Sequence, residues 1–194
     1  VFGAWLPLTV LTLIRPKFAA AAAIVGVLGL VCSVMIYADT RRVFWRWTQT
    51  GPRFFGSALL LGAATAFALG LVPVASAVMM AFATMAKLAC DARVMRAFDG
   101  VDEDDVPTPA LITARLLTGP LRMLFGGRAV FALVAGLLLP AMALANGWGT
   151  VGVWLVFAAV LIADLLERHL FFRAVDAPKM PGLPGAKVHK SRSK

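Results

Sequence analysis

The sequence predicts an all-α fold, a polytopic transmembrane helical bundle of five spans, and three observations lead to it. Apolar residues make up 60% of the 194 positions and charged residues only 15%, outside the balance of soluble domains. Apolar runs reach the roughly 20 residues needed to cross a hydrocarbon core about 30 Å thick. The basic residues are also segregated: once the spans are drawn, 17 Lys and Arg lie on one side and two on the other.

The first span is near 18–38, FAAAAAIVGVLGLVCSVMIYA, without a charge. The run from Phe54 to Cys90 carries a single charge, Lys87. As one helix it would be about 55 Å long, well beyond the bilayer. It must fold back. Pro73 has no amide proton and disfavours helix at the residue before it, so GLVPVAS at 70–76 is the expected hairpin between spans near 54–72 and 74–90. The fourth span is near 129–145, with a kink expected at Pro140. The fifth, near 151–172, follows the turn Asn146-Gly147-Trp148-Gly149.

This division gives a transmembrane helical domain over 1–182, with cytoplasmic loops at 39–53 and 91–128, and a flexible basic tail at 183–194. The loop 39–53, the region from Lys87 to Arg128 and the segment after Asp164 hold the 17 basic residues, while Arg15 and Lys17 lie opposite. The positive-inside rule then puts the C-terminus in the cytoplasm. The net charge of +9 is read as a topology signal, and no nucleic acid partner is implied. No cleavable leader is expected, because the first apolar run is long and lacks a small-residue cleavage site after it.

Chemistry-bearing motifs are few. Cys32 and Cys90 form no CxxC, so neither a disulfide framework nor an iron–sulfur cluster is expected. His169 and His189 are the two histidines, too few for a diheme cytochrome. There is no Walker motif and no GxGxxG. The acidic stretch DGVDEDD at 99–105 lacks the spaced ligands of a calcium loop and reads as a solvated turn. PALITARLLTGPLRMLF, at 109–125, reads as an interfacial helix broken at Gly119-Pro120. No catalytic residue and no metal ligand is assigned.

Two groups of residues stand out. At the end of the first span, Asp39, Arg41, Arg42, Trp45, Arg46 and Arg53 mix charge with aromatic surface alongside Tyr37, Phe44 and Trp47. An interfacial anchor with an aromatic belt is one reading, and a partner-docking surface formed by Asp39, Arg41, Arg42, Trp45 and Arg53 is the other. The second group comprises Lys87, Asp164, Glu167, Arg168 and His169. Lys87 and Asp164 sit at matching depth, so a pair is expected between them. Asp164, Glu167 and Arg168 share a helix face. An ion cluster ending the helix and a quinone or proton path are the two readings. Arg53 and Arg128 each precede a Phe-bearing span and a short turn, which suggests two similar hairpins.

Three segments, YADTRRVFW at 37–45, TGPRFFGSALLLG at 50–62 and LLERHLFFRAVDAPKMPG at 165–182, resemble the C-terminal part of the dimethyl sulfoxide reductase membrane anchor subunit family. The resemblance runs from about Ala19 to Gly182 and is specific at those three places. It implies a membrane subunit with no cofactor of its own, in a bacterial-type inner membrane. Such a subunit docks an iron–sulfur electron-transfer subunit and a molybdopterin catalytic subunit and exchanges electrons with quinone or quinol. The five spans would be the last five of the family's eight helices. The acid and histidine of the family's quinol site lie on its early helices, so no catalytic residue is carried over. The family's best-known members place their C-terminus on the periplasmic side, whereas the charges here place it inside. A transporter or channel fragment, or a purely structural membrane subunit, are the alternatives.

Overall fold

A computed structural model describes residues 7, 9–12, 14–40, 45–96 and 117–173. Among these the chain is all-helical. The acidic stretch at 99–105, Arg41, Arg42, the first part of the 109–125 segment (109–116) and the basic tail at 183–194 lie outside the described residues.

Helix α1 spans Ala19–Asp39. Its end is closed by Thr40, whose hydroxyl donates to the Tyr37 carbonyl at 2.7 Å. It buries only Ala22, Gly29 and Val34, and large apolar side chains such as Ile24 and Ile36 stay exposed. Such a helix suits a lipid-facing position.

Helices α2, Trp47–Ala68, and α3, Pro73–Met95, form the hairpin expected at Pro73. Helix α2 ends in a Schellman motif: Gly70 is left-handed (φ 70°), Leu71 N–H reaches the Ala66 carbonyl and Gly70 N–H the Phe67 carbonyl. Pro73 then starts α3, where a missing N–H costs nothing. Between them Val72 holds φ 36°, an unusual conformation for a β-branched residue.

The second hairpin pairs a composite helix with α6, Thr150–Arg173. The composite helix runs as α4, Arg122–Leu133, a π-helical segment Val134–Leu138, and α5, Leu139–Asn146. In the π segment Leu139 N–H reaches back to the Val134 carbonyl. Pro140 follows at once, so the kink expected there takes the form of a widened turn, which accommodates a ring that would collide with the preceding turn of an α-helix. Gly147 is left-handed (φ 58°) and Trp148 N–H bonds the Ala143 carbonyl, so both hairpins close on the same kind of glycine stop.

Among the described residues, four helical stretches are long and apolar enough to cross a membrane: Pro16–Asp39, Pro73–Arg93, Arg122–Asn146 and Thr150–Arg173. The expected count of five is therefore corrected. Helix α2 matches the others in length but not in apolarity, because it extends back to Trp47 through Thr48, Gln49, Thr50 and Arg53. It buries nine residues, against three on α1, and packs mainly on protein. With four apolar helices, the chain is a multi-pass membrane protein.

The bundle is layered along its axis. Leu60, Ala64, Phe67, Met80, Ala83, Ala135, Val156 and Val160 belong to the apolar core toward the hairpin turns. At the opposite end Leu117, Leu170 and Phe171 pack with Tyr37, Trp45, Phe54, Met95 and Phe125. A layer of charges lies between the two.

Candidate functional site: a buried ionic layer

Each charge is placed by helical spacing. Arg53 and Ser57 are four apart on α2, Lys87 and Asp91 four apart on α3, and Asp164 and Glu167 three apart on α6, so each helix turns two polar groups to one side. Arg128, in α4, faces them. All seven are buried. They lie about 6–15 Å inside the helix ends, counting 1.5 Å per residue.

The contacts interlock the two hairpins. Lys87 Nζ donates to Asp164 Oδ1 at 2.6 Å and to Ser57 Oγ at 3.0 Å, and pairs with Glu167 Oε2 at 2.7 Å. Ser57 Oγ in turn donates to Asp164 Oδ1 at 2.6 Å. Arg53 Nη2 donates to Asp91 Oδ1 at 2.7 Å, while Arg128 Nη1 takes the other oxygen of the same carboxylate. Arg128 Nη2 pairs with Glu167 Oε2 at 3.0 Å. Asp91 thus receives one arginine from each hairpin, and Lys87 reaches two acids of the other.

Three cations meet three anions, so the fully ionised layer is electrically neutral. Six ionised side chains left in lipid would cost on the order of 15–20 kcal/mol at insertion-scale values. Pairing inside the bundle is therefore the condition for keeping them. Packing is cut to fit. A Cβ at Gly56 would lie 2.8 Å from Lys87 Cγ, so glycine there lets the lysine cross α2. A Cβ at Gly136, within the π segment, would collide with the Thr84 hydroxyl.

The layer is roofed by aromatic rings. Tyr37 meets Trp45 and Phe171 edge-on, at 5.1 and 5.7 Å between centroids, and Trp45 stacks on Phe171 at 5.8 Å. Arg168 lies over the Phe54 ring at 3.9 Å, and its Nε is 4.0 Å from Asp164 Oδ2.

The sequence-derived residues divide accordingly. The Lys87–Asp164 pair is present, and Glu167 and Arg168 share its face. His169 is exposed, turned away from the layer. Among the docking residues, Asp39 is exposed and Trp45 half-buried in the aromatic roof, whereas Arg53 is buried in the ionic layer. Arg41 and Arg42 lie outside the described residues. Sequence reasoning missed Ser57, Asp91 and Arg128. The four-residue spacings Arg53/Ser57 and Lys87/Asp91 were the signal that could have found the first two. Among the described residues, no group of three His, Cys, Asp or Glu is placed to hold a metal ion.

Compared with protein-family models, curated proteins and solved structures, the chain matches none.

Proposed function

We propose that this chain is the membrane anchor subunit of a respiratory molybdopterin/iron–sulfur oxidoreductase, docking the electron-transfer subunit and helping to form the environment of the quinone. One observation carries the reading. The three segments that bear the family resemblance, separated by up to 120 residues, meet at one end of the bundle: Tyr37 and Trp45 from the first, Arg53 and Phe54 from the second, and Arg168, Phe171 and Phe172 from the third. The resembling residues are thus assembled in one place, which supports the reading.

On this reading the aromatic end faces the cytoplasm of a bacterial-type inner membrane, and the bias of the basic residues toward that end supports it. The exposed Asp39 and the arginines Arg41 and Arg42 meet the iron–sulfur subunit through charge-assisted bonds. Lys87, Asp164, Glu167 and Arg168 line the side toward which a quinone head group and its protons would move, and His169, exposed on another face of α6, would exchange protons only outside that layer. The clusters and the molybdopterin belong to partner subunits.

The test is purification of the full chain through a tag in gentle detergent, with mass spectrometry of companions and an assay for iron and molybdenum. Two larger soluble subunits arriving with both metals are expected, and Arg41→Glu with Arg42→Glu should release them. A metal-free chain that purifies alone or with membrane proteins only would overturn the reading in favour of transport or a purely structural role.

A further inference from the structure

A small interhelical cleft opens inside the ionic layer. Its volume is about 10 Å³, and its lining includes Thr84, Lys87, Arg128, Gly136 and Glu167. That volume is close to the lower limit for one water molecule. Three polar atoms of this lining have no hydrogen-bond partner within the protein: Thr84 Oγ1, Glu167 Oε1 and Arg128 Nε. Their residues are all at least nine-tenths buried, at 2, 5 and 2% exposure.

We propose that this cleft is a binding site for a single water molecule. Its partners supply what a water needs, a carboxylate oxygen that accepts, a guanidinium N–H that donates, and a hydroxyl that does either. Buried waters typically make about three bonds of this kind, and an orphaned buried polar group costs about 1–3 kcal/mol. Charge selects among small ligands. The three cations and three acids already balance, so a sodium ion or a chloride would leave the layer charged, whereas water leaves it neutral. Gly136 creates the room, since a methyl group there would press on the Thr84 oxygen. The π segment that carries Gly136 is thereby tied to the ionic layer. The inference is independent of the anchor reading, because it concerns groups within the bundle only.

The test combines density with a change of sign. An experimental map of the full chain near 2 Å resolution should show an isolated peak within hydrogen-bonding distance of Thr84 Oγ1 and Glu167 Oε1. Thr84→Val keeps the shape but removes the hydroxyl. With a bound water it should lower Tm by roughly 2–8 °C, and Thr84→Ser should lower it less. Were the cleft dry, the hydroxyl would have no partner to lose, so an unchanged or raised Tm for Thr84→Val would overturn the proposal. So would a featureless cleft in a map that resolves the surrounding side chains, or a Tm of the parent that depends on sodium or chloride at constant ionic strength. If Thr84→Val does not fold, the parent's map decides alone.

Discussion

Replacing Lys87 by methionine is the sharpest perturbation of the ionic layer. Methionine keeps an unbranched chain, so the passage over Gly56 stays filled, but the ammonium and its contacts to Asp164, Glu167 and Ser57 at 2.6, 2.7 and 3.0 Å disappear. The layer then carries a net charge of −1. Glu167 keeps Arg128 at 3.0 Å, while Asp164 keeps Ser57 and a distant Arg168 at 4.0 Å. Stranding a buried carboxylate in this way costs about 3–5 kcal/mol. The assay is unfolding of the full chain in mixed detergent micelles titrated with SDS, followed by circular dichroism. Lys87→Met combined with Asp164→Asn restores neutrality, so the pair should lose less than the sum of the two singles, by about 1–3 kcal/mol. A single-variant loss below about 1 kcal/mol, or strict additivity, would refute the view that charge balance holds this layer together.

Three further outcomes follow from the same geometry. Gly56→Ala should destabilise by about 1–3 kcal/mol through the contact with Lys87 Cγ, although alanine favours helix by about 1 kcal/mol; in a Lys87→Ala background the penalty should vanish, as a four-variant unfolding comparison would read. Phe171→Ala removes the ring on which Trp45 stacks and should cost about 3–5 kcal/mol in the same titration. His169→Ala, at an exposed site, should stay within about 0.5 kcal/mol of the parent; under the proposed function, quinol-linked activity of the assembled complex is where its loss would be felt.

Much of this architecture is legible in the sequence, and the residues show why the rest is not. Pro73 and Gly147 announce both hairpins because they act locally, through a missing N–H and a left-handed backbone. Lys87 and Asp164 could be paired because equal depth in an apolar run is countable. Asp91 and Arg128 were not joined to the ionic group because the apolar runs stop short of them. Hydropathy places the fourth span at Ala129 and the third span's end at Cys90, yet the helices begin at Arg122 and continue to Met95. Helix does not end where apolarity ends if the next charges find partners on neighbouring helices. The same effect lengthened α2 back to Trp47 and cost it the apolarity expected of a span. The π segment has no signature in composition; Pro140 marks the place of a distortion without stating its form.

That wider turn at Val134–Leu138 also gives the composite helix a spare residue. In an α-helix each residue advances the chain by about 100° and 1.5 Å, so losing one elsewhere would swing Arg128 out of line with Asp91 and Glu167. Within the wide turn a deletion can be absorbed: five-residue hydrogen bonding relaxes to four, and the helix on either side keeps its phase. Removing Leu137 together with Pro140→Ala should therefore be tolerated where removing Ala132 is not, because the closed turn then has no proline ring to admit. The helix contains a point at which its length can change without changing which residues meet.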